Sequence, residues 1–407
     1  MQHLYTFFSH RDSRTTGWVF ASNSVLFGGW ATRLPDIQNQ LTLTEGQLGL
    51  ALLCVAVGGL VVMPVVPYLM NRIGTGRATY YSTLLYALAT ILPSIAPGFY
   101  TLLFSFLIVG FGVGTMDVSM NAAAAAIEKR DNLNIMSSCH GMFSLGGFVG
   151  SILASTAAAQ GVSVSAQMIV MVAIVVVVNV ILLRPTVIDL PSSDTDGQHF
   201  ALPKGPVLLI ALVGFAIMVT EGAVADWSSV YVRNTLDSGV FVGGLGFAGF
   251  WLGMTIGRFS GDRIVPIYGA KRVVATGSLL GFVGLLLAVG VATPIAAIIG
   301  FTLVGVGLAN VVPVLFRTAS RIPGVPSGIG VASVTTAGIF GFLIGPPLIG
   351  FLADEFGLRI ALGVIALMTL LGALISFRTR LFKSMLNYSK THAQSDRSYN
   401  DCPPAHD

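Results

Sequence analysis

The chain has 407 residues, 54% hydrophobic and only 10% charged, with mean hydropathy +0.81 and a formal net charge of +4. A soluble domain carries about 25% charged residues, and this chain has too few to give a protein of its length a polar skin. That excludes a large soluble enzyme and leaves an all-α integral membrane protein.

A membrane span needs about 20 mostly apolar residues. In chain order such runs occur at 17–36, 46–70, 78–96, 99–126, 139–159, 164–183, 207–232, 240–260, 273–292, 294–316, 329–351 and 359–377. Barrel strands would be short and alternating, whereas these runs are long and continuous, so twelve transmembrane helices are predicted. The first fifteen residues are polar and mixed, with no cleavage-site pattern, so the first run is expected to be a retained span.

Basic residues set the orientation, because Lys and Arg concentrate in cytoplasmic loops. With the N-terminus inside, eighteen of the 22 fall in inner segments, Arg33, Arg233 and Arg359 lie outside, and Arg258 sits at an inner helix end. Both termini are therefore expected in the cytoplasm. The stretch "RPTVIDLPSSDTDGQHFALPKGP" is the least apolar internal segment and reads as a linker. This divides the chain into a six-helix half at 1–183, a cytoplasmic linker at 184–206, a second six-helix half at 207–380, and a polar tail at 381–407 expected to be disordered.

The halves echo each other. "NRIGTGRA" (71–78) follows the second span and "GDRIVPIYGAKR" (261–272) the eighth, and "GFGVGTMD" (110–117) echoes "VGVGLANV" (304–311), where matching Gly112 and Gly114 to Gly305 and Gly307 sets Asp117 against Asn310. Internal repeats of this kind mark secondary transporters. Other motifs fall away. "GLGFAG" (244–249) has the spacing of a dinucleotide loop but follows no strand. There is no Walker lysine motif and no zinc or hydrolase signature, and Cys54, Cys139 and Cys402 are too scattered for a disulfide framework or a metal site. The basic residues alternate with spans and make no nucleic-acid patch.

Twelve spans in two halves, with basic Gly-containing loops after spans two and eight, resemble the major facilitator superfamily. The second loop, "GRFSGDRIVPIYGAKR", fits the superfamily's loop motif, with Asp262 and Arg263 in it; the first departs from it at Asn71, where an Asp is usual. More narrowly, "GWATRLPDIQ", "MDVSMNAAAAAIEK", "SSCHGMFSLGG", "EGAVADWSSVY", "GMTIGRFSGD" and "GPPLIGFLAD" resemble the YbjJ-like branch of bacterial inner-membrane proteins, near the fucose-permease-like transporters. The resemblance implies the major facilitator fold, two pseudo-symmetric six-helix halves in the cell inner membrane. It further implies that spans 1, 4, 7 and 10 line a central cavity and that the chain works as a monomer without a cofactor, driven by a proton gradient. A sugar, polyol or cyclitol is the implied solute, with a rhizopine-type aminocyclitol among the candidates.

Polar groups occur in all four of those spans. Asp117 and Asn121 are four residues apart and share a helix face. Asp117 lies about 25 Å along a helix begun near Tyr100, where a carboxylate costs about 2.5–3.5 kcal/mol on insertion scales. It serves either as a proton or solute site or as a lock between helices; the surrounding glycines and alanines read as packing. Glu221 and Asp226, five apart, point about 140° away from each other and form no dyad. Asn23, Asn121 and Asn310 offer amides suited to hydroxyl-rich ligands, and Trp30 is a candidate for stacking on a sugar ring. Arg33, near the outer end of span 1, is expected to pair with Asp226 or Glu221. His140, at the start of span 5, is either a titrating group or a satisfied structural one. A proton-antiport exporter is the main alternative, although "SLGGFVGSIL" lacks the antiporter Gly-Pro. A non-transporting receptor and a membrane enzyme fit less well.

Overall fold

The computed structural model describes residues 2–183, 201–379 and 381, and these form helices joined by short turns. Most of the predicted linker and all but one residue of the tail lie outside the described residues. In chain order the helices are α1 (Gln2–Ser9), α2 (Arg11–Ala31), α3 (Leu34–Leu41), α4 (Glu45–Val62), α5 (Val66–Ile73), α6 (Thr75–Ala89), α7 (Phe99–Asp131), α8 (Met136–Ala159) and α9 (Val164–Leu183). After the linker come α10 (Pro206–Val230), α11 (Val240–Val291), α12 (Pro294–Leu308), α13 (Val311–Ala319), α14 (Ser327–Phe356) and α15 (Leu358–Arg378).

Ten helical stretches among the described residues are long and apolar enough to cross a membrane. Two of the twelve predicted runs are not among them. α6 stops at Ala89, ahead of a 3₁₀ turn (Leu92–Ile95) containing Pro93, so it has only 15 residues. α2 is 21 residues long but buries Ser13, Thr15, Thr16, Ser22, Asn23 and Ser24, which lowers its hydropathy. Several predicted runs are also broken. The second ends at Val62 and resumes as α5, with Pro64 in the gap. The tenth breaks at Ala309 and Asn310. The eighth and ninth are continuous in α11 except at Gly269, whose φ of 77° departs from the helix three residues after Pro266. That break leaves a turn where the sequence predicted a longer loop.

Close helix packing is carried by glycines. A Cβ on Gly58 of α4 would strike the Leu107 carbonyl of α7, and one on Gly110 of α7 would strike the Val55 carbonyl of α4. The same reciprocal contact recurs between α11 and α12, where Gly253 meets the Thr302 carbonyl and Gly305 the Phe250 carbonyl. One shift of 195 positions (58 to 253, 110 to 305) relates all four partners. This corrects the repeat register drawn from the sequence: Thr115, not Asp117, is the counterpart of Asn310, and Asp117 corresponds to Val312. Both glycine strings contain a Gly-X-Gly step, so a slip of two residues leaves most of the pattern intact.

Polar side chains join helices as well. Ser82 and Ser119 hydroxyls are 2.8 Å apart between α6 and α7, and Thr79 donates to the Ser119 carbonyl at 3.1 Å. Hydroxyls in hydrocarbon gain from such partners because no water competes. Large apolar residues such as Ile181, Val177, Leu367 and Leu371 point outward, 56–65% exposed, which suits a surface solvated by lipid.

The chain before the linker packs on the chain after it along two seams, α8 on α11 and α4 on α14. At the end of the bundle remote from both termini, polar bonds cross between them. Arg233 Nη1 lies 2.7 Å from Asp36 Oδ1, Asn234 donates to Gln38 at 3.1 Å, and Asp354 accepts from the Thr44 hydroxyl and the Gly46 N–H at 3.0 Å each. Asp354 thus satisfies a free amide at the first turn of α4, where the helix dipole favours an anion.

Candidate functional site

The pair at Asp117 and Asn121 forms as its spacing requires. Asn121 Nδ2 donates to the Asp117 carbonyl at 2.9 Å and to its carboxylate Oδ1 at 3.3 Å. Both side chains are partly accessible on α7, and Asp117 has no basic partner in contact among the described residues. Glu221 and Asp226 on α10 are likewise partly accessible, and neither makes a hydrogen bond or ion pair with a described residue. Three acidic side chains therefore sit on apolar helices without a direct counter-charge.

Arg33 does not reach them. The structure corrects the expected pairing with Asp226 or Glu221: Arg33 is 4% exposed and its guanidinium is taken up beside its own helix end. Nε donates to Asp36 at 2.5 Å, Nη1 to Gln167 Oε1 at 2.8 Å, and Nη2 to the Val162 carbonyl at 3.0 Å. Asp36 then bridges Arg33 to Arg233. The Arg33–Asp36 spacing of three residues was available in "TRLPD", and the acid lies in the first turn of α3; Arg233 and Gln167 carried no such local signal.

Several other predicted site residues make contacts within the bundle. Asn310 donates to the Gly257 carbonyl of α11 at 2.8 Å, and its Oδ1 occupies the space a side chain at Gly261 would need. Trp30 is 3% exposed, with its ring against Phe27 and Phe106 at centroid distances of 5.1 and 5.3 Å. Its surroundings are already aromatic, which corrects the expectation of a ring available for stacking on a solute. Asn23 is 1% exposed, and its amide reaches the Met120 sulfur at 3.9 Å. The His140 ring packs edge-on against Phe20 at 5.3 Å. Arg263 is exposed, and the Asp262 side chain lies outside the described residues.

One charged group was passed over in the sequence. Arg258 on α11 was assigned to a helix end, yet its Nη1 donates to the His140 carbonyl of α8 at 3.3 Å across the seam, and its Nε is buried without a partner. Among the described residues Arg258 makes no ion pair. A single Arg inside a predicted span was the available signal, masked by its use as an orientation marker.

Comparison with known proteins agrees with this architecture. Residues 18–324 match the family model of the Major Facilitator Superfamily. An uncharacterized MFS-type transporter of Yersinia pestis is 34% identical over 84% of this chain and 88% of its own length. The membrane protein MosC of Rhizobium meliloti is 33% identical over 84% of each chain. Among solved structures, the nucleoside transporter NupG superposes with a TM-score of 0.71 at 11% identity, covering 89% of this chain and 98% of that one. A bacterial homolog of the human lysosomal transporter Spinster, inward-facing and occupied, gives 0.68 at 14% identity, covering 89% and 95%. The helical bundle, the apolar outer surface and these matches together place the chain in the Major Facilitator Superfamily, as a multi-pass membrane transport protein.

Proposed function

We propose that the protein is a proton-coupled secondary active transporter of a small polyhydroxylated solute, a sugar, polyol or cyclitol, with amino-bearing cyclitols included. The observation carrying this reading is the pair of carboxylates, Asp117 on α7 and Glu221 on α10, partly accessible and, among the described residues, free of direct basic partners. Intramembrane carboxyls are costly and mark proton or solute paths, and one lies on each side of the linker. Asn121 adds amide hydrogen bonding beside Asp117.

In this reading α2 and α6 complete a set of twelve spans, the termini face the cytoplasm of the inner membrane, and the contacts of Asp36 and Asp354 close the outer end. Alternating access then requires those contacts to part while the two halves rock about the central carboxyls. The test is uptake into proteoliposomes under an imposed pH gradient, screened over sugars, inositols and amino-inositols. Asp117→Asn and Glu221→Gln are each expected to abolish accumulation against a gradient. Full gradient-driven uptake by both variants would end the proton-coupling assignment, and accumulation driven by an acidic rather than an alkaline vesicle interior would favour an antiporter.

A further inference from the structure

α10 and α15 meet along their middles. The Thr220 and Thr369 hydroxyls are 2.7 Å apart, and a Cβ on Gly372 would lie 3.6 Å from the Ala216 side chain and 3.8 Å from that of Ile217. About two turns further on, towards the start of α10 and the end of α15, a groove of about 330 Å³ lies between them, lined by Leu209, Leu371, Leu374, Ile375, Arg378 and Thr379. Leu374, Ile375 and Arg378 follow Leu371 by three, four and seven residues, so all four share one face of α15. That face is apolar until its last position, which is basic. The change falls where both spans end, since α10 begins at Pro206 and Arg378 is the last residue of α15.

The charges select what the groove can hold. Arg378 is exposed, and no described residue bonds or pairs with its guanidinium. The first turn of α10, which supplies Leu209, has no side-chain cap, and Lys204 lies two residues before it. Free first-turn N–H groups and the helix dipole favour an anion. No acidic residue lines the groove, and none occurs between Lys204 and Thr220 or between Leu358 and Leu381.

We propose that this groove binds one anionic phospholipid, with its phosphate on Arg378 and an acyl chain along Leu209, Leu371 and Leu374. A guanidinium holds phosphate oxygens through paired N–H bonds, and the apolar walls shelter the chain. A zwitterionic lipid brings a cation that meets Arg378 and no acid, and a free inorganic anion leaves the walls unfilled. The bound lipid ties α10 to α15 at the end where their own contacts stop. The site stands whatever solute the protein carries.

The test is thermal unfolding of the delipidated full chain in detergent, titrated with phosphatidylglycerol, phosphatidylcholine or inorganic phosphate. A ligand that binds only the folded state raises the unfolding midpoint as its concentration passes the dissociation constant. Phosphatidylglycerol is expected to raise the wild-type midpoint more than phosphatidylcholine does, and inorganic phosphate to leave it unchanged. Arg378→Gln should raise the phosphatidylglycerol concentration required by about tenfold or more, the loss of one charge-assisted bond. Leu374→Trp fills the groove without changing charge and should weaken binding too; if it does not fold, native mass spectrometry of R378Q, read as loss of retained phosphatidylglycerol, takes its place. Lys129→Gln removes an equal charge at an exposed position on α7 and should leave the titration where the wild type has it. Equal shifts with the two lipids, an unchanged titration in R378Q, or an equal loss in K129Q overturns the site. A shift produced by inorganic phosphate alone overturns the lipid assignment and leaves Arg378 as a simple anion contact.

Discussion

Removing Asp36 and removing Arg233 break the same ion pair, yet the structure makes their costs unequal. Asp36 accepts from Arg33 at 2.5 Å and pairs with Arg233 at 2.7 Å, with side-chain exposures of 5% for Arg33, 19% for Asp36 and 18% for Arg233. Asp36→Ala leaves the deeply buried Arg33 guanidinium without its counter-charge, a change worth about 3–5 kcal/mol when a buried pair loses one partner. Gln167 and the Val162 carbonyl still hold Arg33, so the lower end, about 3 kcal/mol, is expected. Arg233→Met keeps the aliphatic stem that packs on Gly243 and leaves Asp36 bonded to Arg33. It forfeits one partly exposed ion pair, about 1 kcal/mol. Because both substitutions delete that bond, the double variant should fall short of their sum by about 1 kcal/mol. Equilibrium unfolding of the four proteins in detergent micelles measures each quantity. An Arg233→Met cost equal to that of Asp36→Ala, or strict additivity, would refute the view that Asp36 chiefly compensates Arg33.

Two further outcomes follow from the packing. Gly110→Ala should destabilise the protein by about 1–3 kcal/mol, because the new Cβ meets the Val55 carbonyl and α4 must move. Gly290→Ala, in a helix with open space around it, should be neutral or stabilise by up to about 1 kcal/mol through helix propensity; thermal unfolding of both variants reads the contrast. Asn310→Ala should cost about 1 kcal/mol by deleting its hydrogen bond to the Gly257 carbonyl, seen in the same assay. A variant of unchanged stability with abolished uptake would instead make Asn310 a solute contact.

The chain alone decided what depends on local physical chemistry. Its apolar runs set the helices, because each backbone must satisfy its own hydrogen bonds in lipid. The four-residue step from Asp117 to Asn121 set their shared face, because it matches a helical turn. Family membership was legible from the motifs and the repeat. Span lengths were less so: Pro93 and the break at Asn310 cut apolar runs that hydropathy counts as continuous.

Partnerships across the fold belong to the tertiary structure. Arg33 could be assigned to any acid near the same depth, and helix orientation gave it Asp36 and Gln167 instead of Asp226. The repeat register shifted by two residues because only backbone contact, Gly58 with Leu107 and Gly253 with Thr302, distinguishes one glycine of a Gly-X-Gly step from the other. Arg258 looked like a topological charge until α8 was placed against it. Periodicity tells which residues share a face, but which face meets which neighbour depends on helix rotation and packing, and those are properties of the assembled bundle.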